Sequence, residues 1–282
     1  MTTLVALWTE VRKRLEAAGV DSPVVDARLL IEAGAGVGRI EIIADPRREL
    51  TEAQVAAVDA LTRRREAREP ISHILGKKAF WTFEVAVTRD VLTPRPETEL
   101  LVEAAVRLLP KDSPARVLDL GVGSGAIILA VLAERPFTTG LGVDVSEAAL
   151  AVARANAERL GLSDRLELRQ GDWTEGLEGQ FHLVLSNPPY IPADEIAGLQ
   201  PEVARHEPRL ALDGGADGLA AYRRILSQLD RVLAPGGTFA FEVGRGQAES
   251  VRTLAEAAGY ATDAPLDDIA GVARVVTGHR AA

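Results

Sequence analysis

The segment Val117-Leu118-Asp119-Leu120-Gly121-Val122-Gly123-Ser124-Gly125 decides the fold class. An apolar strand pattern runs into a turn with glycine at every second position, and a helical pattern follows directly. Glycine permits positive φ angles and lets the backbone approach a ligand at the start of a helix. In open α/β sheets, the first strand-to-helix turn is a usual place for a ligand. Taken alone, the same turn also occurs as plain strand-to-helix packing.

Strand and helix patterns alternate on the C-terminal side of this turn. The strand patterns cover 116–120, 140–145, 165–169, 182–186, 238–243 and 273–277. The helical patterns cover 126–134, 147–160, 218–233 and 248–258. Alternation of this kind predicts an α/β fold, Rossmann-like, in which helices cover both faces of a mostly parallel sheet.

The first 72 residues have a different pattern, which predicts a small all-α domain. Thr3 is placed to cap a first helix, a second helix starts at Ser22-Pro23, and a third starts at Thr51. The apolar positions of the first helix recur at helical spacing: Leu4, Leu7, Val11 and Leu15. We interpret the charged run 63–69 as the solvated end of the third helix.

A β-hairpin linker is predicted at 73–92, between the helical domain and a catalytic domain at 93–282. Its central segment, 80–87, alternates and is rich in aromatic and β-branched residues. Pro94-Arg95-Pro96 then introduces a helix at 97–109, since proline is well tolerated in the first helical turn.

Composition excludes several classes of function. The formal net charge of −9 argues against a protein that binds mainly to phosphate backbones. The chain has no cysteine and its 4 histidines are scattered, so we expect no disulfide, no thiolate chemistry and no metal site. The N-terminus lacks the apolar core of a signal peptide, and no segment is long enough to span a bilayer. We therefore expect a soluble cytoplasmic protein, without a membrane partner, that is a monomer.

Two carboxylates accompany the glycine turn. Asp119 immediately precedes it and is suited to an amine-bearing or cationic ligand. Asp144 ends the next strand, where an acidic side chain can accept hydrogen bonds from both hydroxyls of a ribose. The alternative for Asp144 is a helix-capping role near Ser146. The glycine spacing differs from the dinucleotide fingerprint because the third glycine comes one position earlier.

Gly171-Asp172-Trp173 follows the third strand, at the position beside an adenine in this architecture. Asp172 can accept from the exocyclic amine and Trp173 can cover the ring, although a buried structural tryptophan is an equal alternative. The residues that we assign to the nucleotide cofactor are Asp119, Gly121, Val122, Gly123, Ser124, Gly125, Asp144, Asp172, Trp173 and Asn187.

Asn187-Pro188-Pro189-Tyr190 directly follows the fourth strand. Two prolines end the strand and stiffen the backbone, so the Asn187 side-chain oxygen and the Pro188 carbonyl become two rigid acceptors. They are suited to holding both N–H bonds of a planar amide or amine and aiming its nitrogen at the methyl group of S-adenosylmethionine. Tyr190 would pack on the flat face of that group. We therefore predict Asn187, Pro188 and Tyr190 as catalytic, and all four residues as substrate-binding.

The chain resembles the HemK family of release factor glutamine N5-methyltransferases over nearly its full length. The resemblance rests on these segments, besides those already quoted: Pro70-Ile71-Ser72-His73-Ile74-Leu75-Gly76, Phe80-Trp81, Pro94-Arg95-Pro96-Glu97-Thr98-Glu99, 202–215 and 270–276. It implies a class I methyltransferase domain with a seven-stranded sheet. It also implies S-adenosylmethionine as methyl donor, S-adenosylhomocysteine as product, and the Gly-Gly-Gln glutamine of class 1 release factors as substrate. A helical N-terminal domain would hold that protein substrate.

Some roles and functions stay open at this point. For Arg95, Glu97 and Glu99, ordinary helix-start chemistry and closure over the methyl donor are equally good interpretations. We expect a structural or interdomain role for His73, and solvated surface or a charged rim for Glu202, Arg205 and Glu207. The alternative functions are a glutamine methyltransferase for a large-subunit ribosomal protein, an adenine or guanine amino-methyltransferase of nucleic acid, and a non-catalytic Rossmann module.

Overall fold

Five helices make up the N-terminal part of the protein in this computed structural model, which describes residues 2–280. They are α1 (Leu4–Ala17), α2 (Pro23–Ala35), α3 (Arg39–Ala44), α4 (Glu52–Glu66) and α5 (Ile71–Leu75). A short antiparallel pair, β1 (Thr2–Thr3) and β2 (Glu49–Leu50), joins the start of α1 to the start of α4. The predicted caps at Thr3 and Thr51 are confirmed: Thr3 accepts from the Ala6 N–H, and Thr51 caps α4. Pro23 begins α2 as predicted, but the Ser22 side chain before it makes no capping hydrogen bond.

These helices share one apolar core. Leu4, Leu7, Val11 and Leu15 are all buried, as their spacing predicts, and they pack with residues of α2 and α4. The residues up to Gly76 form one compact unit together with Gln200–His206, which contains helix α9 (Pro201–His206). We call this the first unit. Lys77–Leu199 and the described residues from Glu207 onward form the second unit. The domain boundaries at residues 72 and 92 stay a prediction.

The interpretation of 63–69 as a solvated helix end is wrong for Arg65. Its side chain is only 7% exposed, and Nε lies 2.7 Å from Oδ2 of buried Asp26. Its Nη1 lies 2.8 Å from Oε1 of Glu202, which also binds Arg68. The expectation of solvated surface at Glu202 is therefore wrong too. In the sequence, a run of charged residues such as 63–69 is typical of a solvated surface. Its acidic partners come from distant parts of the chain and leave no local signal.

The second unit begins with the expected hairpin, β3 (Lys77–Phe80) and β4 (Phe83–Ala86). Trp81 lies in the turn of this hairpin with a positive φ of 55°, and its backbone N–H donates to the Glu99 carboxylate. The buried side chain of Asn156 accepts from the Ala86 N–H and donates to the carbonyls of Ala86 and Ser124. The hairpin is thereby hydrogen-bonded to the end of the glycine turn.

The other helices of the second unit are α6 (Glu99–Leu108), α7 (Ala126–Glu134), α8 (Glu147–Leu160), α10 (Ala220–Leu226) and α11 (Ala248–Ala257). The strands of its sheet are β5 (Ala115–Leu120), β6 (Thr138–Asp144), β7 (Leu166–Gln170), β8 (Phe181–Ser186), β9 (Leu233–Glu242), β10 (Tyr260–Thr262), β11 (Leu266–Asp267) and β12 (Ala273–Arg280). Seven of them run in the order β10-β12-β9-β8-β5-β6-β7, and β11 adds to β12. Strands β5 to β9 are parallel, while β10, β11 and β12 pair antiparallel. The predicted α/β, mostly parallel fold is confirmed.

Successive strand residues pack into different layers. Val117, Leu183 and Ala240 join the cluster that contains residues of α6 and α7. Their neighbours Leu118, Val184 and Phe239 join the cluster that contains residues of α10 and α11. Both faces of the sheet are covered, which explains why its central strands are almost continuously apolar.

The predicted helix at 218–233 is too long. Helix α10 ends at Leu226, a 3₁₀ turn follows at Leu229–Arg231, and β9 already begins at Leu233. Leu229 and Val232 are fully buried, so the apolar spacing continues although the helix has ended. None of the helices within residues 2–280 has the length and apolar character needed to cross a membrane.

Candidate active site

The glycine turn links β5 to α7 at the carboxyl edge of the sheet. Gly121, Gly123 and Gly125 have φ values of 76°, 53° and 79°, so the predicted need for positive φ is confirmed. The N–H groups of Gly121 and Val122 both donate to the Val143 carbonyl at the end of β6. The turn is therefore held by the neighbouring strand and not only by its own glycines.

Asp144 organises the same turn from the end of β6. Its Oδ2 accepts from the Gly123 N–H at 2.9 Å, and its Oδ1 accepts from the Ser146 N–H at 2.9 Å. Ser146 itself caps α8 by accepting from the Ala149 N–H. The suggested capping role near Ser146 thus belongs to the serine, while the Asp144 carboxylate orients the backbone of both connections. Each oxygen keeps a further lone pair for a ligand.

Asp119 is fully buried at the end of β5. Among residues 2–280, neither of its carboxylate oxygens has a hydrogen-bond partner of good geometry. Burial raises the pKa of Asp119 to about 7, and the charge of Asp144 acts in the same direction. A buried carboxylate without a partner is costly, and a nearby cation lowers that cost.

A cavity of about 460 Å³ lies at this edge of the sheet. Most of the residues predicted for the cofactor line it: Gly121, Val122, Gly123, Ser124, Asp144, Asp172, Trp173 and Asn187. Two further segments also contribute to its wall, around Val91-Leu92 and Leu210-Ala211. Neither of them was assigned to a ligand site in the sequence analysis. Cavities of this size are typical for small ligands.

Asp172 and Trp173 lie on the cavity wall after β7. The Asp172 Oδ2 is 2.7 Å from Arg224 Nη2, so its charge is already paired. Trp173 is half-buried with a φ of 56°, and a methyl group added to Gly121 would lie 3.6 Å from its ring. Trp173 also packs on the apolar core, so it belongs to the core and to the cavity wall at once.

The Asn187 tetrapeptide follows β8, next to the glycine turn. Asn187 and Pro189 line the cavity, and Pro188 is buried. The Tyr190 carbonyl accepts from Gln247 Nε2 at 2.9 Å, and Gln247 Oε1 accepts from the Gly244 N–H. Burial raises the pKa of the Tyr190 hydroxyl to about 12, so it stays protonated near neutral pH. The turn is therefore rigid because of its prolines and because a side chain from the neighbouring loop holds it.

Two side chains beside Asn187 were missed by the sequence analysis. The Asn187 Nδ2 lies 3.3 Å from Oγ1 of buried Thr98, and buried Glu242 lies next to both. Burial raises the pKa of Glu242 to about 7, against the hydrogen bond that it accepts from Thr98. A usable signal existed for Glu242, because it is a single charged residue at the end of an otherwise apolar strand.

Part of the segment 94–99 lies at the cavity. Arg95 and Thr98 line the cavity, whereas Glu97 is exposed and Glu99 accepts from the hairpin turn. Arg95 Nη2 lies 3.4 Å from Glu207 Oε1, and Glu207 Oε2 accepts from the Thr93 N–H. Glu207 is buried, so the expectation of solvated surface is wrong here as well. Its partners lie 112 and 114 positions earlier in the chain.

Solved structures confirm the architecture. A methyltransferase from Pyrococcus furiosus aligns with a TM-score of 0.52 and 18% identity, over 73% of this chain and 92% of that one. A ribosomal protein L11 methylase from Lactobacillus delbrueckii subsp. bulgaricus aligns with a TM-score of 0.50 and 16% identity, over 70% and 84%. Fold and site together define a class I methyltransferase.

Family models and relatives narrow this class. Residues 6–76 match the PrmC N-terminal domain, and residues 96–201 match the methyltransferase small domain. The release factor glutamine methyltransferase of Caulobacter vibrioides is 53% identical over 98% of this chain and 96% of its own length. That of Rhodospirillum rubrum is 46% identical over 95% and 82%. This chain belongs to the release factor glutamine methyltransferase family.

Proposed function

We propose that this protein transfers the methyl group of S-adenosylmethionine to the side-chain amide nitrogen (N5) of the glutamine in the Gly-Gly-Gln motif of class 1 release factors. The observation that carries this proposal is that Asn187, Asp144 and the glycine turn line one cavity. This arrangement supports a site in which Asn187 would hold an amide beside a bound nucleotide cofactor. The names of the relatives support a glutamine as the methylated group.

The residues of the cavity are suited to S-adenosylmethionine. In our proposal the glycine turn faces the amino-acid part of the cofactor, and Asp119 favours its positive charge. Asp144 accepts from the ribose hydroxyls while it keeps its bonds to the Gly123 and Ser146 N–H groups. Trp173 covers the adenine, and Asp172 accepts from the exocyclic amine alongside Arg224. Each hydrogen bond to a carboxylate contributes on the order of 1.5–3 kcal/mol.

Asn187 and the Pro188 carbonyl would hold the reacting amide. The lone pair of an amide nitrogen is delocalised, so orientation contributes more than a strong base does. When bound, S-adenosylmethionine would supply an electrophilic methyl group with neutral S-adenosylhomocysteine as the leaving group. Asn187 and the Pro188 carbonyl would aim the amide nitrogen at that methyl group, and the nitrogen would lose one proton to water as it is methylated. Tyr190, held by Gln247, would pack on the plane of the amide.

The remaining expectations belong to the same proposal. The first unit, which the PrmC N-terminal domain family matches, would hold the large protein substrate. The acidic net charge of −9 supports a protein substrate and not a nucleic acid. We propose a monomer that acts in the cytoplasm, since its substrates are translation factors.

Incubation with methyl-labelled S-adenosylmethionine and a class 1 release factor tests this function. We expect label in the Gly-Gly-Gln glutamine alone, located by mass spectrometry. Asn187→Ala should abolish transfer, because it removes the acceptor for the substrate. Its effect on cofactor affinity should be small, because Asn187 is one of ten residues assigned to the cofactor and the others remain. Asp144→Ala should weaken S-adenosylmethionine binding by about tenfold to a hundredfold, measured by calorimetry.

A ribosomal protein, ribosomal RNA and DNA serve as competing substrates in the same assay. Label in any of these, with the release factor unlabelled, would refute the proposed substrate. Asn187→Ala with wild-type turnover would refute the proposed role of the tetrapeptide but would leave the substrate assignment intact.

A further inference from the structure

Glu242 and Asn187 are neighbours at the carboxyl edge of the sheet. Ser186 of β8 pairs in parallel register with Phe241 of β9, so the next residues, Asn187 and Glu242, lie side by side. Glu242 is the last residue of β9 and also pairs with Val275 of β12. Glu242 is only 3% exposed, and its own backbone carbonyl accepts from the buried Tyr222 hydroxyl at 2.7 Å. The position of this carboxylate is therefore fixed by the strand and by the side chain beneath it.

Thr98 connects the two residues. The Asn187 Nδ2 donates to Thr98 Oγ1 at 3.3 Å, and the Thr98 hydroxyl donates to the Glu242 carboxylate. Asn187 also donates a hydrogen bond to this carboxylate. That bond and the positive charge of Arg274 both act to lower the pKa of Glu242. The Oε2 atom of Glu242 has no hydrogen-bond partner within residues 2–280. No other part of the mechanism described above uses this buried group.

The direction of this chain of hydrogen bonds follows from chemistry. Above about pH 7 the Glu242 carboxyl group is ionised. It then accepts hydrogen bonds and donates none, so the single hydrogen of Thr98 is committed to Glu242. Thr98 can then offer Asn187 only a lone pair, and the Asn187 amide must turn its NH₂ group toward Thr98. Its Oδ1 is left on the opposite side. Without such a constraint, an asparagine amide can exchange its two ends at little cost.

We propose that Glu242 and Thr98 are positioning residues that hold the Asn187 side chain with Oδ1 free to accept from the substrate amide. This inference rests on the proposed function, because it assigns the orientation of the group that binds the glutamine. Neither residue needs to touch the substrate. They act by fixing the Asn187 side-chain amide, which could otherwise rotate and exchange its Oδ1 and NH₂ ends.

Three substitutions test the inference. All assays are run at about pH 8, where the Glu242 carboxyl group is ionised and can only accept. Glu242→Gln supplies a donor in its place, and Thr98→Val removes the connecting hydroxyl at nearly constant volume. Both should lower kcat/KM for the release factor about tenfold, the value of one orienting hydrogen bond. Binding of S-adenosylmethionine should stay within about twofold of wild type, since neither change removes a proposed cofactor contact. Thr98→Ser retains the hydroxyl and should restore activity.

Thr277→Val is the matched control. Thr277 is also buried in the second unit, and its hydroxyl also donates to a carboxylate, Asp263 Oδ2, at 2.9 Å. A general cost of losing such a bond would appear equally in both valine variants, as a lower melting temperature. Only Thr98→Val should lower kcat/KM. Wild-type activity in both Glu242→Gln and Thr98→Val would overturn the inference, as would an equal loss in Thr277→Val.

A second readout does not depend on the substrate. The Asn187 side-chain NH₂ signals, followed by NMR in protein with ¹⁵N-labelled asparagine, should shift in Glu242→Gln and Thr98→Val but not in Thr277→Val. Unshifted signals would overturn the inference even if activity fell. If the wild-type enzyme labels no release factor, the proposed function fails, and the NMR result alone decides whether Asn187 is oriented in this way.

Discussion

Asp119 has a side chain that prefers water, but the fold buries it completely. The strand residues beside it are apolar and fully buried, and so is its carboxyl group. Its pKa rises to about 7, mainly through burial and then through the charge of Asp144. The folded protein therefore binds a proton at Asp119 over a pH range in which the unfolded chain has already released it.

The stability of the protein should depend on pH through this residue. The pKa rises from 3.8 in the unfolded chain to about 7 in the folded protein. Between these values the folded state holds the extra proton, so the free energy of unfolding falls as pH increases. In urea unfolding at about pH 5 and about pH 8, Asp119→Asn should lose less stability between the two conditions than wild type does. The control is Asp112→Asn at an exposed position, which should behave as wild type. An unchanged pH dependence in Asp119→Asn would contradict this explanation.

At the level of elements, the connection from β5 to α7 depends on backbone conformation and on space. Gly125 is the N-cap of α7 in the left-handed region. A methyl group on Gly125 would lie 3.1 Å from Leu129 Cδ1 and 3.3 Å from the Ala153 Cβ. Helices α7 and α8 are thus packed closely where the glycine turn ends, and glycine is required at this position for both reasons.

Gly125→Ala should destabilise the protein more than a left-handed conformation alone explains. We expect about 1 kcal/mol for the backbone conformation and about 1–3 kcal/mol for crowding. Gly161→Ala is the matched control, because Gly161 ends α8 with a φ of 68° and a methyl group added there would meet no neighbouring group of residues 2–280 within 4 Å. Urea unfolding should show the smaller loss for Gly161→Ala. Equal losses would mean that crowding between the two helices contributes nothing.

At the level of the whole molecule, residues distant in sequence form the charged cluster of the first unit. Glu202 binds Arg65 and Arg68, which lie 137 and 134 positions earlier. Burial acts to raise the Glu202 pKa, but hydrogen bonds from both arginines outweigh it and lower the value to about 2. The cluster thereby joins the segment Gln200–His206 to helix α4 and the residues that follow it within the first unit.

Glu202→Gln should destabilise the first unit strongly. The variant leaves Arg68 without its carboxylate and Arg65 with Asp26 alone, so we expect a loss of about 2–4 kcal/mol in the free energy of unfolding. In wild type this contribution is complete above the unfolded pKa of 4.5 and is lost as pH falls toward about 2. The control is Glu249→Gln, which breaks an exposed pair with Arg252 and should cost less than about 0.5 kcal/mol. Equal effects of the two variants in urea unfolding would contradict a structural role for the cluster.

Features that depend on near neighbours in the chain could be predicted from the sequence. Thr3 and Thr51 cap their helices, the glycine turn needs positive φ, and α7 and α8 begin and end at the predicted residues, because each depends on a few adjacent residues. Asn187 directly follows a strand in the sequence, and the carboxyl ends of parallel strands lie at one edge of a sheet. Its position at that edge could therefore also be predicted.

The pairing of distant charged and polar residues could not be predicted from the sequence, because it depends on the folded chain. Arg65 and Glu207 are buried because each has a partner more than 100 positions away, and no local pattern encodes that partnership. The orientation of Asn187 likewise depends on Thr98, which lies 89 positions earlier. A buried polar group is stable only when its partners are present, and in these cases the partners are supplied by the fold.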